Sequence, residues 1–149
     1  MSLQSKVMEQ MKAAMKAKDS VALQSLRAIK SALLLAQTES GSKKELSEEE
    51  EVKLVQKLVK QRKDSAAIFT EQGRADLAEP ELAEVAVIEQ FLPEQLTEEE
   101  VEKVVVQTIE ATGASGMKDM GKVMGMVSKE LSGQADGKTI STVVKKLLS

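Results

Sequence analysis

The chain contains no cysteine and no histidine. Those absences remove thiolate and imidazole nucleophiles, disulfides, the usual zinc and haem ligands, and any side chain that titrates near neutral pH without strong perturbation. Tyrosine and tryptophan are missing as well, and phenylalanine occurs twice in 149 residues, so base stacking on aromatic rings is nearly excluded as a way of holding nucleic acid. No apolar run approaches the roughly 20 residues of a membrane span. The amino-terminal residues lack the basic, apolar and small-residue order of a signal peptide. A soluble, cytoplasmic protein with no membrane partner is expected. No stretch alternates with the period of a strand, and neither a solenoid repeat nor a low-complexity tract is present.

What the chain does contain is helix-forming and unevenly charged. Residues 1–38 carry 6 basic and 2 acidic side chains, residues 39–110 carry 9 and 19, and residues 111–149 carry 6 and 3. The net charge of −3 therefore conceals two basic ends around an acidic middle, and by itself misleads about partners. Leu3, Val7, Met11 and Met15, with Ala14, mark a first amphipathic helix. Asp19 or Ser20 caps a second with Ala22, Leu26, Ile29, Leu33 and Ala36 inward, ending near Gly41. Ser47 with Glu50 forms a capping box for a long third helix with Val52, Val55, Leu58, Val59, Ala66 and Phe69 inward, stopping at Gly73. Asp76 with Glu79 suggests another box, with Pro80 in the first turn of a fourth helix carrying Leu82, Val85, Ile88 and Leu92.

Pro93 ends that helix, and a third capping box at Thr97 and Glu100 starts the next. The expected fold is all-α, with a four-helix domain over 1–93 and a three-helix bundle over 94–149. In the bundle, Val101, Val104, Val105 and Ile109 line one helix, and Ile140, Val143, Val144 and Leu147 line the last. Between them lies a segment in which, at 100° per residue, Met120, Val123, Met124, Val127 and Leu131 share one face and Lys118, Lys122 and Lys129 the other. Gly121 and Gly125, with Ser128 and Ser132, flank the lysine row. A glycine inside a helix costs about 1 kcal/mol relative to alanine, so this strip is expected to receive a close-packed backbone, of protein or of nucleic acid.

These residues together resemble the YqeY-like, or GatB/YqeY, family along the whole chain. The carriers are Leu26-Arg27, Lys60-Gln61-Arg62-Lys63-Asp64-Ser65, Gly73-Arg74-Ala75-Asp76-Leu77 with Glu81, and Phe91-Leu92-Pro93. In the carboxy-terminal part they are Met120-Gly121-Lys122-Val123-Met124, Ala135-Asp136-Gly137-Lys138, Val143-Val144-Lys145 and Leu148. The resemblance implies two helical domains, the second similar to the tail of the B subunit of the tRNA-dependent amidotransferase. That tail helps to hold tRNA and performs no chemistry; activation, amide transfer and ammonia release reside in larger parts that this chain cannot accommodate. A carbon–nitrogen ligase with glutamine as amido donor is thus the less favoured reading, and one that needs partner subunits.

Two candidate sites follow. Lys118, Lys122 and Lys129, with Lys138 and Lys145 of the last helix, are suited to the phosphates of a folded RNA, with Gly121 and Gly125 permitting close approach. The expected partner is tRNA or a tRNA-handling protein. The bland alternative is a solvated lysine face whose glycines pack on a neighbouring helix; the rival function is an assembly factor that receives a partner helix in the glycine strip. Arg27, Arg62, Asp64 and Arg74, with Lys60, Asp76 and Glu81, form a possible second site for phosphate or carboxylate, or else inter-helix ion pairs. Glu48 to Glu51 and Glu98 to Glu100 fit helix starts better than a metal site, because consecutive side chains diverge. Ser65, Ser128 or Ser141 with a nearby lysine lacks any supporting oxyanion loop. No catalytic residue, cofactor or metal is expected.

Overall fold

The computed structural model describes residues 2–39 and 45–149. Among them run seven α-helices and no strand: α1 (Leu3–Ala17), α2 (Ser20–Glu39), α3 (Glu48–Glu71), α4 (Ala75–Glu89), α5 (Glu98–Thr112), α6 (Met120–Glu130) and α7 (Gly137–Leu148), with a 3-10 turn at Met117–Asp119 before α6. The expected end of α2 at Gly41 lies outside the described residues. No helix among these residues is long and apolar enough to cross a membrane.

The helices start where side chains can satisfy the free amides of the first turn. Ser47 and Glu50 form both arms of a capping box on α3, as Thr97 and Glu100 do on α5, and the acidic runs Glu48–Glu51 and Glu98–Glu100 occupy the first turns, where the helix dipole favours them. Asp19 accepts from the Ala22 amide at 3.0 Å, and Asp136 from the Thr139 amide at 2.7 Å. The box expected at Asp76 and Glu79 does not form. Gly73, at φ 72°, closes α3 with its own amide on Thr70 O, and the next amide, of Arg74, reaches Phe69 O at 2.8 Å. Arg74 is thereby fixed as the residue before α4, where its carbonyl accepts from Leu77 and Ala78. Asp76 falls inside the first turn, and Pro80 two residues further in than expected, in the second turn.

Residues divide into two compact units, Met1–Leu92 and Pro93–Ser149. In the first, Val7, Leu26, Ile29, Val55 and Ile88 are almost completely buried. Two residues expected inside are not: Met15 is 54% exposed and Leu82 50%. A row taken at every fourth residue advances about 40° per step on a helix of 3.6 residues per turn, so Met15, three steps beyond Leu3, rotates out while Ala14 stays in. On α4 the buried row is Ala78, Val85 and Ile88, and Leu82 lies at its edge.

In the second unit, Val101, Val105, Val123, Val127, Val143 and Val144 make a ringless core with Leu131, Ile140 and Leu148. The segment before α5 is tied to the turn after α6. Leu96 donates its amide to Gln134 O at 2.9 Å, and Gln95 donates its side-chain amide to Gly133 O at 2.6 Å.

Candidate nucleic-acid interface and a second polar groove

Helix α6 separates its side chains sharply. Val123 and Val127 are fully buried, Met120 and Met124 pack against the core, and Gly121, Lys122, Gly125, Ser128 and Lys129 are exposed. This is the partition that the spacing predicts. Lys118 differs in one respect: it sits in the 3-10 turn rather than on the helix, because α6 begins at Met120. Gly121 is therefore in the first helical turn, and Gly125 is the glycine placed in the helix interior, where its conformational cost is felt.

The glycines face open space. A Cβ added to Gly121 or to Gly125 meets no atom within 4 Å, so neither is needed for packing by the unit's own helices, which removes the alternative in which they seat a neighbouring helix of this fold. Met126, on the same helix, is 46% exposed. On α7, Lys138, Thr142 and Lys145 are exposed at helical spacing, and Thr142 donates its hydroxyl to Lys138 O at 2.9 Å.

Among the described residues, none of Lys118, Lys122, Lys129, Lys138 and Lys145 forms an ion pair. The reason is local composition. Residues 111–149 hold 3 acidic side chains, and two have backbone partners: Asp119 accepts from the Ser115 amide at 2.9 Å and Asp136 caps α7. Glu130 remains for six lysines. The outcome is a set of exposed lysines without ion-pair partners among the described residues, of which Lys122 and Lys129 share α6 with Gly121 and Gly125.

The second candidate cluster is divided by the fold. Arg62 on α3 donates Nε to Glu84 of α4 at 2.9 Å and Nη1 to Leu58 O at 3.1 Å, and the two charged side chains are only 17% and 16% exposed. This is a largely buried inter-helix pair, supported nearby by Lys63 and Glu89 at 3.1 Å. Lys60 and Asp64 pair at 3.6 Å along the exposed side of α3. Arg74 grips its neighbour Asp76 with two hydrogen bonds, 3.1 and 3.0 Å, in the open. The Arg74 guanidinium holds the Asp76 carboxyl below the usual range, and the carboxylate raises the arginine in return. Asp64 and Arg74 thus have local partners.

Arg27 and Arg62 do come together. With Glu81, Glu84, Gln61 and Ser65 they line an open groove of about 430 Å³, which Gln24, Ala28 and Ser31 of α2 complete. Glu84 is the lining residue and Arg62 partner that sequence reasoning missed. Arg62 and Glu84 are equally far in sequence from Gly73, so a hairpin folded at that glycine brings them opposite each other. No group of three or more acidic residues suited to a metal ion occurs among the described residues.

Comparison with known proteins gives two findings. A protein of Thermococcus gammatolerans that forms part of a glutamyl-tRNA(Gln) amidotransferase is 44% identical over 71 residues, which are 45% of this chain and 11% of that relative. This chain therefore corresponds to a small part of the relative's length. The family profile described as Yqey-like protein matches residues 4–148. With seven helices and no strand among the described residues, and a match that runs through both compact units, the chain belongs to the Yqey-like family.

Proposed function

We propose that this protein is a non-catalytic tRNA-binding protein whose carboxy-terminal unit holds the phosphate backbone of a folded RNA against the exposed side of α6. The observation that carries the reading is the open glycine strip beside lysines that have no ion-pair partner among the described residues. An interior glycine with nothing packed on it makes α6 less stable by about 1 kcal/mol than alanine would, and close approach of a ribose-phosphate chain offsets that cost. Lys122 and Lys129 then neutralise phosphates on either side of Gly125, while Lys118, Lys138 and Lys145 extend the positive surface. Without rings or imidazoles, recognition rests on shape and charge rather than on bases. The partial likeness to an amidotransferase component named for Glu-tRNA(Gln) supports tRNA as the RNA.

The test is a tRNA titration at two salt concentrations. Wild-type affinity falls steeply with salt, and Lys122→Glu with Lys129→Glu lowers the salt slope by about two while circular dichroism is unchanged. Equal affinity of the double variant and wild type rejects the reading.

A second reading has its own observation: Met117, in the turn before α6, and Met126, on α6 itself, are each 46% exposed and offer apolar contact. A partner helix seated there makes the chain an assembly factor for a tRNA-handling enzyme. In that case Gly125→Leu abolishes co-purification of the partner, the lysine reversals do little, and nuclease treatment leaves the complex intact. A carbon–nitrogen ligase role with partner subunits predicts glutamine-dependent amidation of misacylated tRNA only when those subunits are added.

A further inference from the structure

The groove formed by α2, α3 and α4 belongs to the unit Met1–Leu92 and shares no residue with the lysine face of α6. Its lining holds two arginines and two glutamates. One pair is consumed internally: Arg62 and Glu84 bond at 2.9 Å and are largely buried. Arg62 uses two of its five N–H groups, on Glu84 and on Leu58 O, so donors remain. The other two charges are uncommitted. Arg27 is exposed, Glu81 is half-buried, and neither forms an ion pair among the described residues, with the other or with anything else.

We infer that this groove binds a small zwitterion of the amino-carboxylate class, its carboxylate on Arg27 and its ammonium on Glu81. Two opposite charges that line one groove without meeting are bridged by a ligand that carries the complementary pair. A simple anion attracted to Arg27 shares the groove with Glu81, and a simple cation attracted to Glu81 shares it with Arg27; a molecule with both charges answers both. Gln61 and Ser65 add neutral hydrogen-bonding groups. The volume of about 430 Å³ lies within the range of small-molecule sites, but the lining is polar and open to water. Affinity is accordingly about millimolar.

The test uses the full chain labelled with nitrogen-15 and the series glycine, β-alanine, 4-aminobutyrate and 5-aminopentanoate, which differ in charge separation. Acetate and methylammonium are the single-charge controls. At least one amino acid of the series is expected to give saturable shifts of the Gln24, Ser31, Gln61 and Ser65 amides, while neither control saturates. Arg27→Gln and Glu81→Gln each weaken that binding roughly tenfold. Both variants leave tRNA affinity unchanged, so failure here and failure of the RNA reading are separable. The inference is overturned if no member of the series moves those amides at roughly ten-millimolar concentration, if acetate or methylammonium alone saturates them, or if neither variant alters the affinity.

Discussion

On α3 and α4, Arg62 and Lys63 reach Glu84 and Glu89 of the neighbouring helix at 2.9 and 3.1 Å; on α6, Lys122 and Lys129 are exposed and form no ion pair among the described residues. Both regions have basic residues enough for either use. Supply of acid makes the difference, since residues 39–110 hold 19 acidic side chains and residues 111–149 hold 3. A cation that its own fold neutralises contributes to holding helices together. A cation left without a carboxylate contributes little to stability and is available to an external anion.

This contrast is most open to failure in stability measurements. Glu84→Ala leaves the Arg62 guanidinium largely buried without its partner and is expected to cost about 1–3 kcal/mol, read as a lower urea midpoint. Lys122→Glu, on the open face, is expected to stay within about 0.5 kcal/mol of wild type. Equal losses in the two variants would mean that the α6 lysines serve the fold, and the contrast would collapse.

Gly125→Ala probes the same contrast from the other side. The added Cβ meets open space, so α6 is expected to gain about 1 kcal/mol, while tRNA affinity falls because the strip has narrowed. A variant that gains stability and binds as before removes the need for close approach.

A position outside both regions calibrates these effects. Lys18 ends α1 at φ 56°, with the Asp19 amide on Ala14 O at 3.0 Å, a place that glycine normally takes. Lys18→Gly removes backbone strain of about 1 kcal/mol and loses part of it to the greater freedom of glycine in the unfolded chain. A net gain of about 0.5 kcal/mol is expected, measurable as a raised melting temperature.

The smallest effect concerns Asp76. Its folded pKa is lowered chiefly by the side-chain hydrogen bond from Arg74. A carboxyl depressed in the folded state adds stability above its unfolded pKa and loses it as pH falls through the lower, folded value. Since the pair is exposed, the contribution is slight. Arg74→Gln should return the Asp76 titration, followed by carboxyl carbon NMR, upward toward an ordinary aspartate; an unmoved titration would place the cause elsewhere.

Much of this architecture is legible in the residues alone. Ser47 with Glu50, Thr97 with Glu100, and Val123 with Val127 declare their roles because caps and helical faces depend on residues three or four apart. The Asp76 box does not form because Gly73 has already fixed Arg74 as the junction, a choice made one helix earlier. Met15 lies outside the core because a row drawn at every fourth residue drifts around the helix, and Leu82 because it sits at the edge of the row Ala78, Val85 and Ile88. The α6 face is visible as a pattern, but whether its glycines are covered is not, since that depends on where the neighbouring helices pass. Glu84 escapes for a related reason: its partner lies 22 positions away, beyond the reach of local spacing.

Arg74 serves two helices at once, its N–H closing α3 and its C=O opening α4. A joint with no slack tolerates no insertion, so a tag or linker placed between Gln72 and Ala75 should uncouple the hairpin where a polar loop elsewhere would absorb it. Because the paired helices adjoin in sequence, closing them costs little chain entropy. During refolding, amide protection should therefore appear early along α3 and α4.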